Sequence, residues 1–273
     1  MTQGQFETVQ FVSPVRRFMP FEGANHKRMR DLLTGKDSKT GAQVDVPRQL
    51  ITPKTLMEAR LGKIGAEGDK AYLRSVYVDT RFAVLPDPES DAVKIVPNDA
   101  LVYTLNAESE LVNYNLPISK DHYEAQEGFE FNVGDANTLR GNVYAVPNVR
   151  EAFWEFAAEG DISLKTDYQN DITPTLNNPF AQVMGIYLLR SKGLRLLSVG
   201  SVGDRSYAGG IVSLDYGGGR LVGVAPEAQV AQKIAQQAGL EARVQSALDA
   251  GQSFEYKGKV YVAVVDPRIS LKQ

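Results

Sequence analysis

Nine of the chain's 24 glycines fall in one stretch, residues 193–223, GLRLLSVGSVGDRSYAGGIVSLDYGGGRLVG. Such a tract constrains a fold strongly. Glycine takes positive φ without steric penalty and lets backbone pass close to its surroundings, yet it weakens the interior of a helix or strand. Two short β-type runs, Leu194–Val199 and Ile211–Leu214, punctuate the tract. It therefore reads as strands joined by tight turns, and as the best place in the chain for a contact loop.

The elements around it follow from periodicity. Ahead of it, NNPFAQVMGIYLLRS (177–191) offers Asn178 as a cap, Pro179 at the first helical position, and almost no polar face. That predicts a helix over 178–190, buried nearly all round at the centre of the core. Behind it, APEAQVAQKIAQQAGLEARVQSALDAG predicts a long amphipathic helix interrupted at Gly239, and QSFEY with KVYVAVV predicts a hairpin about Lys257–Gly258. No internal repeat occurs.

Earlier in the chain, residues 1–24 alternate apolar and polar before Pro14 and Pro20, and read as an extended arm reaching outside its own domain. Asn25 is placed to cap a short basic helix ending at Gly35, and Thr52–Pro53 to open another ending at Gly62. Segments 36–47 and 63–70 read as loops. From Tyr72 to Leu105 the pattern is β (YLRSVYVDTRFAVL, AVKIV, ALVYTL), continued by ELVNYNL, GFEFNV and GNVYAVP. Asn148 and Glu151 suggest a capping box for a helix closing at Gly160. The sum is an α+β fold: a mixed or antiparallel sheet, a few scattered helices and an N-terminal arm. Residues 25–273 read as one domain, with a sub-boundary allowed near 148.

Chemistry is narrowed mainly by exclusion. With no cysteine, disulfide, zinc-thiolate and iron–sulfur sites are ruled out. The glycine tract lacks GK[ST], and Gly200–Gly203 and Gly217–Gly219 do not make GxGxxG, so neither a P-loop nor a dinucleotide fingerprint is present. Neither His26 nor His122 accompanies a GxSxG serine. Asp87, Glu89 and Asp91 alternate as calcium ligands do, but Ala92 and Asn98 stand where an EF-hand needs glycine and glutamate. The pairing of Gly239 with Val244 misses helix-turn-helix spacing. No enzyme activity and no cofactor is expected.

Charge is uneven: residues 1–75 carry 13 Lys/Arg against 8 Asp/Glu, 76–190 carry 7 against 18, and 191–273 carry 10 against 7. An acidic middle between basic ends suits copies docking head-to-tail. The stretch RRFMPFEGANHKRMR (16–30) interleaves cations with aromatics, as single-strand nucleic-acid contacts do. Candidate nucleic-acid or partner contacts are Arg16, Arg17, Phe18, Lys27, Arg28 and Arg30, with Arg205 and Arg220 in the glycine tract. The N-terminus has no signal pattern and no apolar run reaches a membrane span, which predicts a cytoplasmic site of synthesis and no membrane partner. The reading is a structural subunit of a large homo-oligomeric assembly, a phage capsid or tail protein of a virion. The alternative is a nucleic-acid-coating or ribonucleoprotein backbone subunit.

Overall fold

The computed structural model describes residues 17–42, 46–133, 137–140, 143–173, 183–189, 193–203, 205–211, 213–225, 253–256 and 259–262. The chain divides into two compact units, Arg17–Ala225 and a second made of Met1–Arg16 with Pro226–Gln273.

Within Arg17–Ala225 the elements run β1 (Phe18–Glu22), α1 (Asn25–Thr34), β2 (Gln49–Leu50), α2 (Pro53–Leu61), α3 (Glu67–Ser75), β3 (Val78–Pro86) and β4 (Ala92–Val96). They continue with a 3-10 turn (Ala100–Thr104), α4 (Lys120–Ala125), β5 (Phe129–Asn132), β6 (Asn137–Arg140), β7 (Val143–Ala145) and a second 3-10 turn (Pro147–Val149). Then come α5 (Arg150–Ala157), α6 (Ile162–Ile172), β8 (Ile186–Leu189), β9 (Arg195–Val199), β10 (Ala208–Gly210) and β11 (Arg220–Val224). One mixed sheet runs β1-β11-β3-β9-β10-β8-β7-β6, with β2 beside β11 and the β4–β5 pair beside β3. β11 with β3 and β10 with β8 are parallel; the other ladders are antiparallel. The α+β class with a mixed sheet and scattered helices is what the sequence predicts.

Both faces of the sheet are covered, which explains why every residue of β9 is buried. Along β3, Phe82 and Val84 enter one core and Ala83 and Leu85 the other; along β9, Leu197 and Val199 join the first and Leu196 the second. This is the period-two alternation of a strand with apolar layers on both sides. The first core takes Leu56 and Met57 of α2, Leu73 of α3, Phe153 and Trp154 of α5, and Leu164, Tyr168 and Ile172 of α6. The second takes Met29 and Leu32 of α1, Val102 and Tyr123. Each large side chain so buried contributes about 1.5–3 kcal/mol.

Local chemistry sets the helix ends. Thr52 Oγ1 accepts the Thr55 N–H at 3.1 Å, Pro53 opens α2, and Gly62 closes it at φ 77°. Gly35 closes α1 at φ 67°. Asn25 does not cap α1; Ala24 holds that position and the Asn25 amide reaches instead to Asp79. Asn148 likewise caps nothing, and α5 follows a 3-10 turn. Three helices escaped the periodicity: α3 begins inside the predicted loop 63–70, α4 is capped by Ser119, and α6 is capped by Asp161, whose Oδ1 accepts the Leu164 N–H at 2.9 Å. ALVYTL is a 3-10 turn because the Asp99 carboxylate accepts the Leu101 N–H at 2.7 Å.

The largest correction lies at 186–189. The predicted buried helix is strand β8, pairing with β7 and β10. A short, wholly apolar run reads equally as a buried helix or a doubly covered strand, and tertiary pairing decided between them. Residues 174–182 lie outside the described residues. Ile211, Ser213 and Leu214 are not in a strand either; β10 is Ala208–Gly210. Its glycines are forced by crowding, since a Cβ on Gly210 would sit 2.9 Å from Val84 Cγ2 and 3.1 Å from Leu188 Cδ2. ELVNYNL forms a tight turn rather than a strand.

Residues 18–22 of the predicted arm are not extended away from the fold. They form edge strand β1 against β11, burying Phe18 and Phe21 in the two cores. Residues 1–16 lie outside the described residues, as does the predicted helix interrupted at Gly239. In the second unit, β12 (Ser253–Tyr256) and β13 (Lys259–Val262) pair antiparallel with Tyr256 opposite Lys259, as the hairpin reading requires. Among the described residues no helix is long and apolar enough to cross a membrane.

Candidate contact surface

The sequence-derived contact residues do not converge. Phe18 is 3% exposed and Phe21 7%, so neither ring is free to stack on a base. Arg28 pairs with Asp31 at 3.0 Å and lies over the Phe21 ring. Arg17 lies over Phe18 at 6.0 Å, and Arg205 is 6% exposed, withdrawn from any surface groove. Arg220 folds back on the Gly218 and Gly219 carbonyls and sits 3.4 Å from Glu22 of β1. Lys27 and Arg30 remain exposed on α1, and Arg16 is outside the described residues. Among the described residues, then, Lys27 and Arg30 are the candidates left exposed without an ion pair.

A different surface is assembled here. The turn Val112–Asn115 closes on itself through Val112 N–H to Asn115 O (2.8 Å) and Asn115 N–H to Val112 O (3.0 Å). Its central residues, Asn113 and Tyr114, both take left-handed backbone, φ 48° and 65°. Asparagine tolerates this; tyrosine does so at a cost of about 1–3 kcal/mol. The strained turn is held from below, where Leu214 N–H bonds Tyr114 O at 3.0 Å and Leu194 N–H bonds Leu116 O at 2.7 Å. The result is that Tyr114 and Val112 stand out at 62% and 52% exposure, beside the glycine tract. Two residues beyond Leu214, Tyr216 is 51% exposed and packs its ring 6.4 Å from that of Tyr77.

Next to Tyr77 lies a buried polar group. Asp79 enters from β3 and receives the Asn25 amide at 3.2 Å. Its other oxygen accepts no hydrogen bond among the described residues. Burial pushes the Asp79 carboxyl up to about 7, with the Asn25 amide and then the Tyr77 hydroxyl pulling partly back. The Tyr77 hydroxyl is pushed upward by its own burial and by the Asp79 charge. Gly219 closes over both, and any side chain there would collide with the Asp79 carboxylate. The triple glycine of the tract is thus explained at this position by close approach to Asp79 and Tyr77.

The two histidines lie apart from this group in their hydrogen bonding. His122 Nε2 meets the fully buried Asp99 at 2.8 Å, and the other oxygen of that carboxylate accepts the Leu101 N–H. His26 is buried with Nδ1 3.1 Å from the Leu214 carbonyl. Among the described residues no three His, Asp or Glu side chains are placed to hold a metal ion.

Asp79, Tyr77, Tyr114 and Tyr216 were missed from sequence. The signal for Asp79 was present, a lone acid inside the apolar run YVDTRFAVL. Nothing local marked Tyr114, whose prominence comes from a left-handed turn braced by a segment a hundred residues away.

No family model matches the chain, and no curated protein matches it. Among solved structures, it is similar to a chain from work on how the C-type lectin fold accommodates massive sequence variation in Nanoarchaeota. That overlap has a TM-score of 0.49 at 14% identity, covering 79% of this chain and 100% of the other. A likeness at that level carries no argument about this chain.

Proposed function

We propose that this protein is a non-enzymatic structural subunit that assembles with copies of itself, as a capsid or tail component of a virion, and that the Val112–Tyr114–Tyr216 face is one of its contacts. The observation that supports this reading is Tyr114, an aromatic held outward on strained backbone that the rest of the fold braces. Exposed tyrosines on a rigid frame supply contact area at low entropic cost. Light scattering coupled to gel filtration, followed by electron microscopy of the purified chain, tests it. Closed or repeating particles that revert to monomer in a Tyr114→Ser/Tyr216→Ser variant are expected; a wild-type chain that stays monomeric at every concentration would sink the proposal.

A second reading, coating of nucleic acid, is supported by Lys27 and Arg30, exposed on one turn of α1 without an ion pair among the described residues. An oligonucleotide shift lost on charge reversal of both would favour it over self-assembly.

A further inference from the structure

Arg195 is the first residue of β9 and is only 6% exposed. Its Nη1 donates to the Ile211 carbonyl at 2.8 Å, and that is its whole set of hydrogen bonds among the described residues. Nε is enclosed and has no acceptor. No acidic side chain among the described residues acts on the guanidinium, and burial alone lowers its pKa to about 10. At neutral pH the group is still charged, because arginine does not shed its proton in the accessible range.

Three other buried charges, Arg60, Lys94 and Asp79, are relieved in ways Arg195 is not. Arg60, fully buried, spends its donors on the Leu73 and Val76 carbonyls, Tyr168 and Ser206. Lys94 has the Tyr123 carbonyl, the Tyr123 ring and Glu130. Asp79 can take up a proton. An enclosed, singly bonded guanidinium has no such exit, and a lone buried charge is strongly unfavourable. What it keeps free is the Nε–Nη2 edge, the side-on fork whose two parallel N–H groups match two oxygens of a carboxylate or phosphate.

We infer that Arg195 anchors an oxyanion-binding site at the start of β9, taking a ligand group that presents two oxygens on one edge, a carboxylate or a phosphoryl group. In register it lies opposite Val84 of β3, and of the two fork nitrogens only Nε is enclosed. This inference does not depend on the assembly reading.

Thermal melting of the full chain, with inorganic phosphate and acetate titrated in separate arms against chloride at constant ionic strength, tests it. One arm should raise the melting temperature saturably, as a ligand bound to the folded state does. Response to phosphate identifies a phosphoryl ligand, and response to acetate a carboxylate. Arg195→Met should abolish the shift while melting no lower than wild type in chloride. Arg195→Lys keeps the charge without the fork and should weaken the response about tenfold. Absence of a shift with both anions, an unchanged shift in Arg195→Met, or, if that variant does not fold, equal anion response in Arg195→Lys would each overturn the site.

Discussion

Asp79 ties the stability of this fold to pH. Its carboxyl titrates near 7 in the fold against an ordinary value of 3.8, because burial disfavours the charged form. Between those values the folded chain holds a proton that the unfolded chain has lost. Stability is therefore fully present below the lower value, falls as pH rises toward 7, and is flat above it. The whole span corresponds to about 4 kcal/mol. Urea unfolding of wild type should show that decline, and Asp79→Asn should remove it and be the more stable protein in alkaline buffer; an unchanged slope in the variant would mean another group titrates. Tyr114 offers a complementary test. Tyr114→Gly relieves left-handed backbone and should raise stability by about 1 kcal/mol while abolishing assembly, so that loss of function cannot be ascribed to unfolding. Arg60→Ala should destabilise by about 3 kcal/mol or more, since it strands the Leu73 and Val76 carbonyls and opens a cavity.

Strand β1 determines what can be trimmed from the N-terminus. Its ladder with β11 runs from Phe18 opposite Val224 to Glu22 opposite Arg220, and its two phenylalanines belong to opposite cores. A chain lacking residues 1–16 should retain the melting transition of the Arg17–Ala225 unit. A chain lacking 1–24 should not fold, because losing two buried phenylalanines costs about 3–5 kcal/mol each against a domain stability of about 5–15. Equal melting of the two truncations, followed by circular dichroism, would show that β1 is dispensable. Elements with chemical punctuation were legible in the sequence: Thr52, Pro53 and Gly62 bound α2, and Gly35 ends α1. Elements defined by partners were not. Ile186–Leu189 is as apolar as a helix core, and only its position between β7 and β10 makes it a strand; Glu67–Ser75 has one fully buried residue, Leu73, too few to show a helical stripe.

Across the whole molecule, the basic start and acidic middle of the chain meet within one copy. Lys54 reaches Glu159 at 3.3 Å, Lys63 reaches Asp167 at 2.8 Å, and Arg74 pairs with Asp171, tying α2 and α3 to α6 and the turn before it. Exposed pairs of this kind contribute about 0–1 kcal/mol apiece. With that part of the complementarity satisfied internally, assembly through the tyrosine face should persist as salt rises and the screening length falls to about 8 Å. Particles that dissociate between dilute buffer and physiological salt, measured by light scattering, would restore charge as the main contact. The sequence by itself determined the α+β class, the turns that glycine and proline impose, and the absence of cysteine and nucleotide-loop chemistry, because those depend on single residues and near neighbours. Which face of the sheet each strand fills, why Gly219 must be glycine, how Asp79 comes to titrate near 7 and why Arg195 lacks a counter-charge were decided only by the tertiary structure. Each of these is a property of what surrounds a residue in space, and those surroundings are assembled from segments tens to nearly two hundred positions apart.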